Sequence, residues 1–267
     1  MNGDACDDDR LVSAAPAVAV RGLAIGWGSV TLVRDITFDV ARGEIFAILG
    51  GSGSGKSTLL RHLVGLETPS AGEIDIEGRG PPELDRGHPP FGVMFQGGAL
   101  FGSMTVLENV ALPLGEWAAL GPNAVDVVAR SKLQLVGLAN DADKLPAEIS
   151  GGMVKRAAIA RALALDPPIA FLDEPSAGLD PVTAAGLDDL IVTLARSTGL
   201  TVVMVTHELR SVFRIVDRCL LLDRASHCAV AMGDPRELAR SDDPRIYDIF
   251  NPGSKGKERT WRPEPAT

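Results

Sequence analysis

Apolar residues recur along this chain in two different periods, and the changes between them divide it into elements. Val18 and Val20, then Ile36, Phe38 and Val40, alternate with polar or small residues. A period of two is that of a strand with one buried face. Ile74 and Ile76 repeat it, with Gly72 and Gly78 as turn signals. Residues 45–49 (IFAIL) are apolar throughout, as a strand buried on both faces must be, and 169–172 (IAFL) and 202–205 (VVMV) read the same way. Helical patterns separate them. Leu59, Leu60, Leu63 and Val64 share one helical face, and so do Leu187, Leu190, Ile191 and Leu194. Pro181 after Asp180 supplies an N-cap and a favourable first helical residue. Apolar strands alternating with amphipathic helices predict an α/β fold, a parallel sheet covered on both sides. Residues 97–166 show no comparable strand and read as a mostly helical insert. Residues 1–16 and 251–267 lack a period and read as tails around an ordered region at 17–250.

Composition narrows the function classes. At 267 residues and 45% hydrophobic, the chain can bury a core without disulfides or a structural metal. Cys6, Cys219 and Cys228 have no paired spacing and read as reduced thiols, with Cys219 in an apolar stretch suited to the core. The net charge of -9, sharpened by residues 4–9 (DACDDD), argues against a nucleic-acid partner. The acidic start is unlike a signal peptide. No apolar run approaches the roughly 18 residues of a membrane span, so a membrane connection is expected to come through a partner.

Two segments carry recognisable chemistry. Gly50-Gly51-Ser52-Gly53-Ser54-Gly55-Lys56-Ser57-Thr58 follows a buried strand and opens a helix, in the pattern G-x-x-x-x-G-K-[ST]. Glycines there let backbone N–H groups curl around phosphate oxygens, and the helix start favours the same anion. Lys56 supplies a charge for the β and γ phosphates and Ser57 a hydroxyl for Mg²⁺. Asp173 and Glu174 end the next buried strand, at the sheet edge where open α/β sheets bind ligands. Asp173 is expected to hold Mg²⁺ and Glu174 to orient and deprotonate a water.

A third segment, Ile149-Ser150-Gly151-Gly152-Met153, precedes an Ala-rich helix with Lys155, Arg156 and Arg161 among its polar positions. It resembles the LSGGQ signature of ABC ATPases, with Ile for Leu and Met for Gln. The resemblance spans about residues 17–240. It implies a P-loop NTPase (RecA-like) α/β core, an antiparallel β subdomain and a helical subdomain at about 97–166. It also implies ATP and Mg²⁺ as cofactors. In that family the signature closes over the ATP of a second copy, so Ser150, Gly151, Gly152 and Met153 become a second phosphate cradle in a head-to-tail homodimer. The same resemblance assigns Trp27 to adenine stacking and Gln96 to a Mg²⁺ and water contact. It places Asp180, in Ala177-Gly178-Leu179-Asp180, at the dimer interface and His207 at the γ-phosphate. His62, His88 and His227 match no motif and read as structural or surface residues.

Within the family, the segments FGVMFQGGALFGSMTVLENVALPL and ISGGMVKRAAIARALALDP resemble the Mla/Mce-type lipid-transport (toluene-tolerance) ATPases. That implies integral membrane permease subunits, a lipid-binding envelope carrier protein and a peripheral location on the cytoplasmic face of the inner membrane. Residues 97–110 are expected to receive a permease helix, with Ala99 and Leu100 in the contact. The ATPase of an importer for a polar nutrient such as amino acids is the alternative. Lys255, Lys257, Arg259 and Arg262 around Trp261 leave two readings of the tail open: a disordered end, or a segment docking on a partner or anionic lipid.

Overall fold

The structure is a computed structural model that describes residues 15–27, 30–84 and 87–251, with the backbone alone at Trp27 and Val30. The expected tails and the basic cluster around Trp261 therefore lie almost wholly outside the described residues. In chain order the strands are β1 (Val18–Trp27), β2 (Val30–Val40), β3 (Ile45–Gly50), β4 (Ala71–Ile76), β5 (Phe91–Met94), β6 (Ile169–Asp173), β7 (Thr201–Val205), β8 (Arg218–Asp223) and β9 (Cys228–Gly233). The helices are α1 (Lys56–Leu63), α2 (Val106–Trp117), α3 (Pro122–Leu135), α4 (Gly151–Ala162), α5 (Pro181–Thr198), α6 (Leu209–Ile215), α7 (Pro235–Leu238) and α8 (Pro244–Phe250).

Six strands form the central sheet in the order β5-β6-β7-β3-β8-β9, parallel except for β9 at the edge. Every residue of β3, β6 and β7 is buried. Their alternation explains why. Ile45, Ala47 and Leu49 join Ala170, Leu172, Val202 and Met204 in one core, which α2 to α6 and α8 cover. Phe46 and Ile48 join Ile169, Phe171, Val203 and Val205 in the other, under α1 and the antiparallel sheet β2-β1-β4. Both faces of these strands are thus apolar by necessity.

Between Gln96 and Asp166 the regular elements among the described residues are the helices α2, α3 and α4, with 3-10 turns at Ala139–Asp141 and Pro146–Glu148. Thr105 starts α2 with a reciprocal cap: its Oγ1 accepts from the Glu108 N–H at 3.1 Å, and Glu108 Oε2 accepts from the Thr105 N–H at 2.7 Å. Three polar residues fasten this block to its surroundings. Buried Asn109 bonds the backbone of Phe101 in both directions, at 2.8 and 3.1 Å. Arg161 donates to the carbonyls of Gly98 and Ala99 at 2.9 and 2.8 Å. Arg156 donates to Val136 O at 3.2 Å and Gly186 O at 3.1 Å. The polar residues of α4 are therefore cross-braces, not a solvated face.

Two strands had no signal in the hydrophobic pattern: β5 is four residues long and interrupted by Gly92, and β9 has no fully buried residue. The apolar stretch around Cys219 is β8, with four buried residues between Arg218 and Asp223. Gly92 is there because α4 crosses directly over it: a Cβ would lie 1.9 Å from Ala162 O. We predict that Gly92→Ala destabilises the protein by about 1–3 kcal/mol, the cost of overpacking. Gly115→Ala, exposed in α2 with nothing near its Cβ position, should stabilise it by about 0.5–1 kcal/mol. Urea denaturation midpoints measure both, and shifts of equal sign would contradict this packing.

Candidate active site

The loop from β3 to α1 is shaped by two glycines that nothing else can replace. At Gly50 (φ +155°) a Cβ would lie 2.4 Å from Leu222 O and 2.5 Å from Ser54 Oγ; at Gly55 (φ +96°) it would lie 2.9 Å from Val33 Cγ2. The chain can therefore curl only with hydrogen at both positions. Gly51, Ser52 and Gly53 are exposed at the crest of the curl, while Ser54 is buried with its Oγ unpartnered among the described residues. Lys56 folds back over the loop, its Nζ donating to Gly50 O at 2.9 Å and Gly51 O at 3.2 Å. Burial lowers the Lys56 pKa, against the pull of Glu174 and Asp173. Thr58 is buried behind the loop, where its carbonyl bonds His62 Nδ1 at 2.8 Å.

Opposite the loop stands the end of β6. Ser57 Oγ donates to Asp173 Oδ1 at 3.3 Å. Burial raises the Asp173 pKa and neighbouring Glu174 adds to the rise, while the Ser57 hydroxyl and Arg61 oppose it. A hydroxyl and a buried carboxylate side by side, next to a phosphate cradle, suit Mg²⁺. That ion keeps waters and substrate phosphates in its shell and needs few protein oxygens. Among the described residues no cluster of three or more His, Cys, Asp or Glu side chains forms an all-protein metal cage.

Glu174 is held with unusual thoroughness. Its backbone is left-handed (φ +49°), a conformation that costs a non-glycine residue about 1–3 kcal/mol. Its N–H donates to Val205 O at 2.9 Å, and its carbonyl accepts from Lys155 Nζ at 3.1 Å. Carboxylate Oε1 pairs with His207 Nδ1 at 2.8 Å, while Oε2 is buried with no partner among the described residues. His207 itself is 60% exposed, with Nε2 3.6 Å from Glu208 Oε1. One carboxylate oxygen is thus fixed while the other is left available, an arrangement suited to accepting a proton.

The remaining expected residues form a second group. Ser150 caps α4, its Oγ accepting from the Met153 N–H at 3.3 Å. Gly151 is exposed, and Gly152 is pressed on α5, where a Cβ would meet Thr183 Cγ2 at 2.5 Å. Asp180 caps α5, Oδ1 accepting from the N–H groups of Val182 and Thr183 and Oδ2 from Thr183 Oγ1 at 2.5 Å. Thr183 thus joins the Ser150–Gly152 turn to Asp180 in one block. That block rides on α4 and α5, whereas α1 packs on β1, β3, β6 and β7. Gln96 is exposed just past β5, the strand beside β6. The Trp27 side chain lies outside the described residues. Lys155 was missed by motif reading because its partner is a backbone carbonyl, which leaves no mark in sequence.

A cleft of about 450 Å³ opens beside the Gln96 segment, lined among others by Leu66, Leu84, Phe91, Phe101, Pro113 and Trp117. Phe101 and Trp117 are both 52% exposed. Of the two residues expected in the contact, Leu100 packs partly against the helical core and Ala99 is exposed outside the cleft, and segment 97–110 reaches the cleft lining at Phe101.

Comparison with known proteins agrees with this geometry. The profile of the ABC transporter family matches residues 33–177. The chain is 42% identical over 241 residues to the probable ribonucleotide transport ATP-binding protein mkl of Mycobacterium leprae (strain TN), covering 88% of this chain and 69% of that protein. It is 39% identical over 244 residues to the intermembrane phospholipid transport system ATP-binding protein MlaF of Escherichia coli (strain K12), covering 90% of each. Its fold matches the ATP-binding cassette MJ0796, solved as a post-hydrolysis dimer with ADP and Pi, at a TM-score of 0.71 and 31% identity over 81% of this chain and 98% of that one. With the P-loop, the acidic strand end and the capped SGG turn in place on that fold, the chain belongs to the ABC transporter family as an ATP-binding subunit, an ATPase.

Proposed function

We propose that this chain powers lipid transport across a bacterial envelope, as one of two identical ATPase subunits beneath membrane permease subunits. The observation that carries the lipid reading is the 39% identity with MlaF over nine-tenths of both chains. Among the described residues no helix is long and apolar enough to cross a membrane, so substrate contact falls to the partners. The subunit sits on the cytoplasmic face of the inner membrane, and a lipid-binding envelope carrier completes the system.

ATP binds with its phosphates over the amides of residues 50–56 and against Lys56, its adenine stacked on Trp27. Ser57 and Asp173, with Gln96 nearby, would hold Mg²⁺, which would supply positive charge to the phosphates. Glu174 takes a proton from water onto Oε2 as the water oxygen bonds to the γ-phosphorus and the bond to ADP breaks. His207 holds Oε1 and faces the γ-phosphate. A second copy supplies Ser150, Gly151, Gly152 and Met153 to the same phosphates, with Asp180 at the interface. The cleft at Phe101 and Trp117 takes a short apolar helix of the permease.

Three outcomes test this. Purified with its membrane partners, the complex should carry phospholipid detectable by mass spectrometry; bound ribonucleotide, or a soluble amino-acid-binding partner, would contradict the lipid assignment. Phe101→Asp and Trp117→Asp should each weaken permease association by roughly tenfold or more at unchanged thermal stability, whereas Ala99→Asp should have little effect. Asp173→Asn should raise the melting temperature of the nucleotide-free protein by roughly 2–4 °C near pH 7 while abolishing Mg²⁺-dependent turnover. The sign follows from its raised pKa: burying the charged form costs stability above the folded pKa and nothing below the unfolded one. The gain should therefore shrink as the pH falls through that window. A gain that is constant with pH would reject the electrostatic cause.

A further inference from the structure

We propose that Lys155 is a positioning residue for Glu174 of the same chain: its ammonium anchors the Glu174 carbonyl and so sets the direction of the carboxylate. The proposal rests on the reading of Glu174 as the proton acceptor.

Lys155 is only 6% exposed, on the helix that Ser150 caps. An ammonium in such a place loses hydration and persists only with partners that replace it. One hydrogen bond is defined for it, to Glu174 O at 3.1 Å. Its other support is the charge of Glu174 and Asp173, which opposes the lowering of its pKa by burial. A cation is therefore kept in the interior at a point where its direct contact is with the backbone of the residue bearing the acceptor.

That backbone needs anchoring. A left-handed, non-glycine residue persists only where its surroundings over-determine it. The Glu174 N–H is fixed from β7 through Val205 O, and the carbonyl is fixed from α4 through Lys155. Together these two anchors set the Cα–Cβ direction, and His207 then fixes the carboxylate at Oε1. Without Lys155 the carbonyl keeps, among the described residues, only the turn bond from the Ala177 N–H, at 3.3 Å. The peptide after Glu174 is then free to rotate, and the free oxygen Oε2 loses its aim.

The test is a double-mutant cycle on the full-length chain in its transporter complex. Lys155→Met keeps the stem and removes the donors. It should lower kcat about ten- to a hundredfold, the scale of a misaligned reacting group, with KM for ATP nearly unchanged. Lys155→Arg, which keeps a donor, should recover most of the loss. Glu174→Gln should lower kcat by at least about a hundredfold, and Lys155→Met added to it should cost nothing further, because the group being aimed is gone. A Lys155→Met kcat close to wild type, or an equal loss in both backgrounds, overturns the positioning role while leaving the base assignment standing. Near-normal turnover of Glu174→Gln overturns the base assignment itself. If Lys155→Met does not accumulate as folded protein, Lys155→Leu, which also lacks a donor, enters the same cycle, and an unchanged kcat there is equally decisive against the proposal.

Discussion

A strand buried on both faces has nowhere to place a charge except at its ends, and the whole site obeys that constraint. β3, β6 and β7 are apolar along their length because each divides two cores. The polar residues of the site therefore collect at and just past the strands' C-terminal ends, at one edge of the parallel sheet. The P-loop leaves β3, Asp173 and Glu174 leave β6, and His207 follows β7. The parallel register that pairs Asp173 with Val205 brings Glu174 and His207 within hydrogen-bond reach, and the same register supplies the Val205 carbonyl that holds the Glu174 backbone. Packing of the strands and alignment of the catalytic groups are one arrangement.

The second constraint is the division of the candidate phosphate-binding groups between two blocks. The P-loop belongs to the sheet through α1, while the Ser150–Gly152 turn and Asp180 belong to α4 and α5. Arg156, Arg161 and Lys155 brace α4 to its neighbours through backbone carbonyls, so that helix moves with its surroundings rather than alone. A block built in this way, exposed at Gly151, is the surface that the proposed function gives to another molecule's nucleotide.

Legibility in the sequence followed the physical origin of each feature. The doubly buried strands were readable because burial on both faces excludes polar residues over several consecutive positions. The P-loop was readable because steric exclusion at Gly50 and Gly55 leaves one residue type. Asp180 before Pro181 announced a cap that the structure contains. The strands β5 and β9 were silent, because a four-residue strand with a glycine and an exposed edge strand carry too little periodicity. Contacts to backbone carbonyls were silent as well. Lys155 and Arg161 read as polar positions on a helix, and Asn109 drew no notice, because the partner in each case is a peptide group that any sequence would supply. The difference between Leu100 and Phe101 was silent for a similar reason: both are apolar, and only packing shows that Leu100 lies against the core while Phe101 lines the cleft.

The central claim is that one copy holds two halves of different sites, and the mass of the nucleotide-bound protein tests it most directly. Glu174→Gln protein, purified without permease subunits, is weighed by light scattering with and without saturating ATP. The account predicts a monomer that doubles in mass on ATP binding and loses that dimer when Ser150 or Gly151 is replaced by Asp. Saturating ATP binding by a protein that remains a monomer would contradict it.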